Sequence, residues 1–211
     1  MCRFSKKVHC SFVAFLTVLL VFLSVETICA SSSNDPQVQL KDSIDEILSI
    51  LQSEELQAPG KEDERRQRVL KVINRIFDFR GMARSSLGRN WNDISAAEQD
   101  RFVSLFASLI EQRYIGKIDA YHNQKVIYKE QRVKNDRAKV YTAIVDKDLE
   151  IPIDYSLERA QDRWLIRDMR IENVSLVVNY RRDFNSIIKK EKFSGLVEKI
   201  TAQLEKSEIQ N

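Results

Sequence analysis

Few side chains in this sequence could carry out covalent or acid–base chemistry, and their spacing limits them further. The three cysteines, Cys2, Cys10 and Cys29, all lie in the first thirty residues. Beyond them the only histidine is His122, placed at the end of a helical pattern among Tyr121, Asn123 and Gln124. A nucleophilic triad through His122 would need a serine presented on a sharp strand–helix turn, and no G-x-S-x-G elbow occurs. One histidine without cysteine is a poor zinc ligand set. No glycine-rich phosphate loop or dinucleotide fingerprint is present. Carboxylates are plentiful, but Asp146 and Asp148 fall in a polar turn where they are solvated. Asp154 and Asp168 are the strand acids that an acid–base enzyme would have to use. These residues point to no catalytic group, no metal and no cofactor.

The elements that would position any site begin after a leader. Arg3, Lys6 and Lys7 precede an apolar run from Phe12 to Val25 that is short for a bilayer span. Ala30 then stands before Ser31-Ser32-Ser33. Residues 1–30 therefore read as a secretory signal peptide, and 31–211 as one exported domain. The −3 residue is Ile28 rather than the usual alanine. Ile28 also occupies the place where a lipoprotein signal would need a small residue before Cys29. On cleavage all three cysteines depart, so the remaining chain has no disulfide and no thiol chemistry. Three cations and one acid (Glu26) leave as well, and the formal net charge falls from +3 to +1. Nucleic acid is a poor partner for a chain so nearly neutral.

Along the expected mature chain, Asp35-Pro36 is a capped helix start, and Val38, Ile44, Ile47, Leu48 and Leu51 recur at helical spacing. Pro59-Gly60 breaks that helix. Glu62, Asp63 and Glu64 open the next, with Val69, Val72, Ile73, Ile76 and Phe77 as its stripe. A short helix from Phe79 to Leu87 ends at Gly88. Ser95 and Glu98 form a capping box before a helix whose apolar face is Phe102, Leu105, Phe106, Leu109, Ile110 and Tyr114. From Lys125 the period becomes two, in four segments that end with Trp164 to Ile171. Helices follow near Tyr180 to Lys190 and Ser194 to Leu204. The fold class is α+β: N-terminal helices packed on a curved, mainly antiparallel sheet of about four strands, with C-terminal helices, enclosing an apolar cavity.

Several segments, taken in order, resemble a known family. FDFRGMARSSLGRNW (Phe77 to Trp91) with EQDRFVSLFASLI (Glu98 to Ile110) is similar to the helical signature of the MlaC / toluene-tolerance family. IPIDYSL (Ile151 to Leu157) and WLIRDMRIENVSLVVNYRRDF (Trp164 to Phe184) resemble its sheet and exit motifs. The family usually has a glycine after the acid before V-S-L; here Asn173 follows Glu172, and asparagine tolerates positive φ. The resemblance implies a periplasmic phospholipid-binding protein, the soluble auxiliary of an ABC transporter that maintains outer-membrane lipid asymmetry. Its partners would be an inner-membrane ABC transporter complex and an outer-membrane lipoprotein complex. A hopanoid-associated carrier of the same family and a small pocket enzyme acting on an apolar substrate are the alternatives.

A lipid carrier needs a wall of apolar side chains and little else. Burying acyl chains is worth about 0.8 kcal/mol per CH₂, on the order of 20 kcal/mol gross for two chains. Strand alternation nominates Val126, Tyr128, Val140, Thr142, Ile144, Ile151, Ile153, Tyr155, Trp164 and Ile166 for the sheet wall. Phe79, Met82, Leu105, Leu109, Val174, Leu176 and Tyr180 are nominated from the helices and the exit segment. Arg181 and Arg182 are candidates for a phosphate at the mouth.

Overall fold

The computed structural model describes residues 34–119, 124–147 and 149–208. The expected signal peptide, His122 and Asp148 lie outside the described residues.

Helix α1 (Pro36–Gln52) starts where Asp35 caps it, accepting from the backbone N–H groups of Gln37 and Val38 at 2.8 and 3.0 Å. The same carboxylate accepts from the Gln131 side chain at 2.7 Å, which ties the helix start to the first strand. A one-turn α2 (Glu54–Gln57) and Gly60, with φ of 83°, lead into α3 (Glu62–Ile76). Acids in the first turn of α3 and Arg75 in its last suit the helix dipole. Helix α4 (Phe79–Leu87) stops at Gly88, whose φ of 59° and ψ of −124° favour glycine. After a 3₁₀ turn (Gly88–Asp93) the Ser95–Glu98 capping box opens α5 (Ala96–Asp119). There Glu98 accepts from the Ser95 backbone at 2.8 Å, and Ser95 Oγ accepts from the Glu98 N–H at 3.3 Å.

The sheet is antiparallel throughout in the order β1-β2-β3-β4-β5: β1 (Lys125–Lys134), β2 (Arg137–Asp146), β3 (Leu149–Ala160), β4 (Arg163–Ile171) and the two-residue β5 (Val174–Ser175). Two-residue loops join the strands, and the first loop residue in each has positive φ: Asn135, Lys147, Gln161 and Glu172. Asn173 also lies in this region, with φ of 67°, the conformation for which asparagine substitutes well for glycine.

Two bulges set which side chains share a face. One in β1, between Tyr128 and Gln131, keeps both residues on the face of Thr142 and Val140. The other inserts Arg167 into β4, because Ser156 pairs with Asp168 while Leu157 pairs with Ile166. That extra residue resets the alternation. Trp164 and Ile166 before it, and Met169 and Ile171 after it, all share one face. Strict alternation would have turned Asp168 and Arg170 toward the helices instead.

The last helix, α6 (Leu176–Glu208), begins earlier than its periodicity suggests and breaks at Lys192, whose φ is 61°. Its start is fixed from another element. Asp168 of β4 accepts from Ser175 Oγ at 2.6 Å and from the Val177 N–H at 3.1 Å, while Ser175 Oγ accepts from the Val178 N–H. An N-cap assembled from a strand is invisible to local pattern reading.

Two apolar regions result. One lies among α4, α5 and α6 and contains Met82, Leu87, Trp91, Phe102, Phe106, Tyr180, Phe184 and Leu196. The other lies between the sheet and α1, with Leu40, Ile76, Val140, Leu157, Trp164 and Ile166.

Candidate functional site

The second region does not close completely. Beyond its packed end, the inner face of the sheet, α1, α3 and one side of α5 surround a pocket of about 350 Å³. This is within the range of pockets that hold small apolar ligands, and above the ~300 Å³ below which a plain filled core would be the better reading. Its floor follows from the strand register. Thr142 pairs with Ile153, Ile144 with Ile151 and Val126 with Ile144, so branched aliphatic side chains lie in rows across β1, β2 and β3. Thr142 joins them without a desolvation penalty, because its hydroxyl donates to the Ile153 carbonyl at 2.8 Å and leaves its methyl group inward.

The roof is held by polar contacts at its edges. Gln39 of α1 brackets the Trp164 backbone, donating to its carbonyl at 2.6 Å and accepting from its N–H at 2.9 Å. Trp164 Nε1 donates to the Asn34 carbonyl. Arg75 of α3 pairs with Glu46 of α1. With these ties in place, α1 presents Leu40, Ile44, Ile47, Leu48 and Leu51 to the pocket, and α3 presents Leu70, Ile73 and Ile76.

Of the sequence-nominated wall residues, Phe79, Val126, Thr142, Ile144, Ile151, Ile153, Tyr155 and Ile166 line this pocket. Val140 and Trp164 lie on the same face of the sheet but pack into the filled end beneath α1, and Arg159 stacks over the Trp164 ring. Tyr128 shares that face too; its hydroxyl is buried without a hydrogen-bond partner. Burial and the nearby Asp45 and Asp42 push its pKa up. Met82, Leu109 and Tyr180 belong to the helical core, and Leu105 packs against it. Leu176 is buried at the start of α6, whereas Val174 in β5 is 56% exposed. These residues stand away from the pocket because α5 and α6 pack against each other, so only one flank of α5 reaches the sheet side. Arg181 donates through Nε to the Ser85 carbonyl, and Arg182 pairs with Asp183; neither lines the pocket.

The lining residues not nominated from sequence are chiefly those of α1 and α3, with Ile110, Glu111 and Tyr114 of α5 and Met169 and Ile171 of β4. The helix stripes were legible as apolar faces, but periodicity does not say which helix meets which side of a sheet. Met169 and Ile171 depended on the Arg167 bulge.

The electrostatics of the pocket are simple. Its charged lining residues, among those described, are Glu111 and Glu172. Burial pushes the Glu111 carboxyl above its ordinary value, against a hydrogen bond from the Asn74 side chain that lowers it. Tyr155 counts as half-buried by area because it faces the open space, yet protein surrounds it and burial pushes its pKa up to about 12. Asp154 and Asp168 do not line the pocket, and Asp168 is occupied in starting α6.

The signature segment from Phe77 to Trp91 serves as a brace. The Asp78 N–H donates to the Ile166 carbonyl at 2.9 Å, and its carboxylate both caps α4 at Gly81 and pairs with Arg167. Arg167 also reaches Glu158 at 3.2 Å. A Cβ on Gly81 would lie 1.7 Å from Arg167 Nη1, so only glycine admits this guanidinium across the helix.

Sheet, helices and pocket together define an α+β protein with an open antiparallel sheet covered by helices and an apolar space between the layers. Within that class the chain belongs to the MlaC family, since the family model described as MlaC protein matches residues 41–202. The intermembrane phospholipid transport system binding protein MlaC of Haemophilus influenzae is 24% identical over 192 residues, which cover 87% of each chain. A phospholipid-binding protein from Ralstonia solanacearum, solved in complex with a phospholipid, superposes with a TM-score of 0.73 at 26% identity. That match covers 81% of this chain and 98% of the other.

Proposed function

We propose that this protein is a periplasmic carrier that holds a phospholipid by its acyl chains and passes it between the two membranes as the soluble component of an ABC transport system. The observation that carries this reading is the pocket of about 350 Å³ between sheet and helices, lined almost entirely by Leu, Ile and Val with a few aromatic rings. Such a lining removes acyl methylenes from water, at about 0.8 kcal/mol each, and its few polar groups, Glu111 and Glu172 among them, are a small part of the wall. Family membership and the phospholipid-bound relative support the same reading. The signal peptide over 1–30 supports export, with 31–211 as the working domain. An inner-membrane transporter complex and an outer-membrane lipoprotein complex are the partners this role calls for.

The test is to purify the protein from a bacterial host, extract it with organic solvent and identify the extract by mass spectrometry. Stoichiometric phospholipid is expected; a hopanoid in its place would assign the protein to the other branch. A well-folded protein that carries no lipid and takes none from vesicles would overturn the carrier reading.

The enzymatic alternative draws on one observation, the raised pKa of Glu111 inside the pocket. A carboxylate at an apolar wall is shifted in this way by burial alone, whatever its use. Its hydrogen-bond partner is the Asn74 amide, which neither gives nor takes a proton in this pH range. The expected result is that Glu111→Gln still loads with lipid.

A further inference from the structure

A second concave surface lies on the opposite face of the sheet. It is a groove of about 600 Å³ that runs from the β1–β2 hairpin across Ser156–Glu158 of β3 to the Arg167 bulge of β4 and the first turns of α6, and its cationic lining is Arg132, Lys134, Arg137, Lys139, Arg167 and Arg181. It shares Ser85, Arg167 and Arg181 with a neighbouring depression that adds Arg84 and Arg89. The whole chain has a formal net charge of only +3, so this concentration of cations is local rather than general.

The register makes the groove costly to the fold. Arg132 stands directly opposite Lys139, and Lys134 directly opposite Arg137, which has the acid Glu158 as its neighbour only on the other side, in β3. Like charges at facing positions of an antiparallel pair are destabilising. Intramolecular compensation is incomplete. Arg132 pairs with Glu130 and lies over the Tyr141 ring, and Arg167 is held by Asp78 and Glu158. Both oxygens of Asp168, the other acid in the groove, are taken by Ser175 and Val177. Lys134, Arg137 and Lys139 have no ion pair among the described residues. Alternation places these cations away from Val140, Thr142 and Ile144, so an occupant of the groove would leave the lipid pocket free.

We propose that this groove docks an acidic polypeptide segment of a partner protein, whose carboxylates neutralise the facing cations of the β1–β2 hairpin. The concavity favours an extended segment over a membrane, because a flat lipid surface cannot reach Arg167, whose side chain is 31% exposed and set back beside Asp78. The inference does not rest on the carrier reading, and its failure would leave that reading untouched.

The test uses the purified protein and a fluorescein-labelled oligoglutamate peptide, read by fluorescence anisotropy at low and physiological salt. The informative variant is Lys134→Glu with Lys139→Glu, because each new acid then faces a cation, Arg137 or Arg132, across the strand pair. Its melting temperature should equal or exceed that of the parent, so lost binding cannot be ascribed to unfolding. A control, Lys71→Glu with Lys189→Glu, makes the same charge change on exposed helix positions elsewhere. The groove variant should weaken peptide binding by about tenfold or more, the control by less than about twofold, and salt should weaken the parent's binding. Amide shifts on titration should map to residues 132–139 and to Arg167 and Arg181. Equal losses in both variants would reduce the effect to net charge and overturn the proposal. So would binding of phosphatidylglycerol vesicles without the peptide, or full competition by inorganic phosphate at low concentration.

Discussion

Helix α5 has two flanks, and they face interiors finished in different ways. Toward α4 and α6, Phe102 and Phe106 meet Tyr180, Phe184 and Phe193 in ring contacts with centroid separations of 5.5 to 6.2 Å, most of them edge-on or tilted. Toward the sheet, Ile110, Glu111 and Tyr114 look across the pocket at branched aliphatic side chains on β1–β4. Both interiors are apolar and both are built on ordinary helix stripes and strand rows. They differ in shape complementarity. Aromatic rings packed edge to face define one arrangement. Rows of Ile, Leu and Val across a gap define a surface and leave the space between unfilled. The helical core is the packed frame beside which the pocket stays open.

The sharpest way to break this distinction is to truncate one residue on each side. Phe106→Ala in the fully buried aromatic cluster should cost about 3–5 kcal/mol, because a close-packed site cannot collapse around the hole. For a domain of this size that lowers Tm by roughly 10 °C. Ile151→Ala removes atoms that already border open space, so it should cost about 1 kcal/mol or less. Urea or thermal unfolding of both variants is the measurement. Equal losses would mean that the pocket is closed in solution and the two regions are packed alike.

Next in size is the brace that joins the two regions. Gly81→Ala places a methyl group where Arg167 crosses α4, and the guanidinium must retreat from Asp78. A loss of about 1–3 kcal/mol is expected, typical of overpacking and of an ion pair parted from one member. Arg167→Ala should lose a similar amount. Combining it with Gly81→Ala should then cost less than the sum, since the clash disappears with the side chain. Additive losses in that cycle would sever the brace from the signature motif.

The elements legible in the sequence were those whose causes are local. Asp35-Pro36, the Ser95–Glu98 box and Gly88 each carry their own chemistry, and α1 and α5 begin, and α4 ends, where those signals put them. The sheet wall was legible as far as alternation holds, which is why Val126, Thr142, Ile144, Ile151, Ile153 and Tyr155 line one surface. What the sequence hides is non-local. The bulge at Arg167 turns Met169 and Ile171 inward, a strand acid starts α6, and the packing of α5 on α6 sends Leu109 to the closed core. The helix stripes of α1 and α3 were plain, but it is non-local ties that fix them over the sheet: Gln39–Trp164 and Asp35–Gln131 for α1, and Arg75–Glu46 for α3 on α1.

Filling the pocket should separate ligand binding from stability. Ile151→Trp directs a large ring into the space between sheet and α1, where the helical core is not involved. Lipid recovered by extraction should fall about tenfold or more, while unfolding free energy changes by less than about 1.5 kcal/mol. If lipid content is unchanged, the acyl chains lie elsewhere and the pocket is incidental.

The smallest effect expected is that of Glu111, and its sign is diagnostic. Burial at the pocket wall raises its folded-state pKa above the unfolded value, so in the window between the two the folded protein binds more protons than the unfolded chain. Stability from this group is therefore greatest below the unfolded pKa and falls as pH rises through the folded pKa. Above both pKa values the charged carboxylate costs the fold a little, and Glu111→Gln removes that cost while keeping a partner for Asn74. The variant should melt slightly higher than the parent where the parent's carboxylate is charged, by less than any of the substitutions above moves it. The difference should vanish as pH falls below the unfolded pKa, where both side chains are neutral. An occupied pocket sharpens the test, because acyl chains beside Glu111 exclude water and widen the gap between parent and variant. A gap that is the same with and without bound lipid would place the carboxylate outside the space the lipid fills.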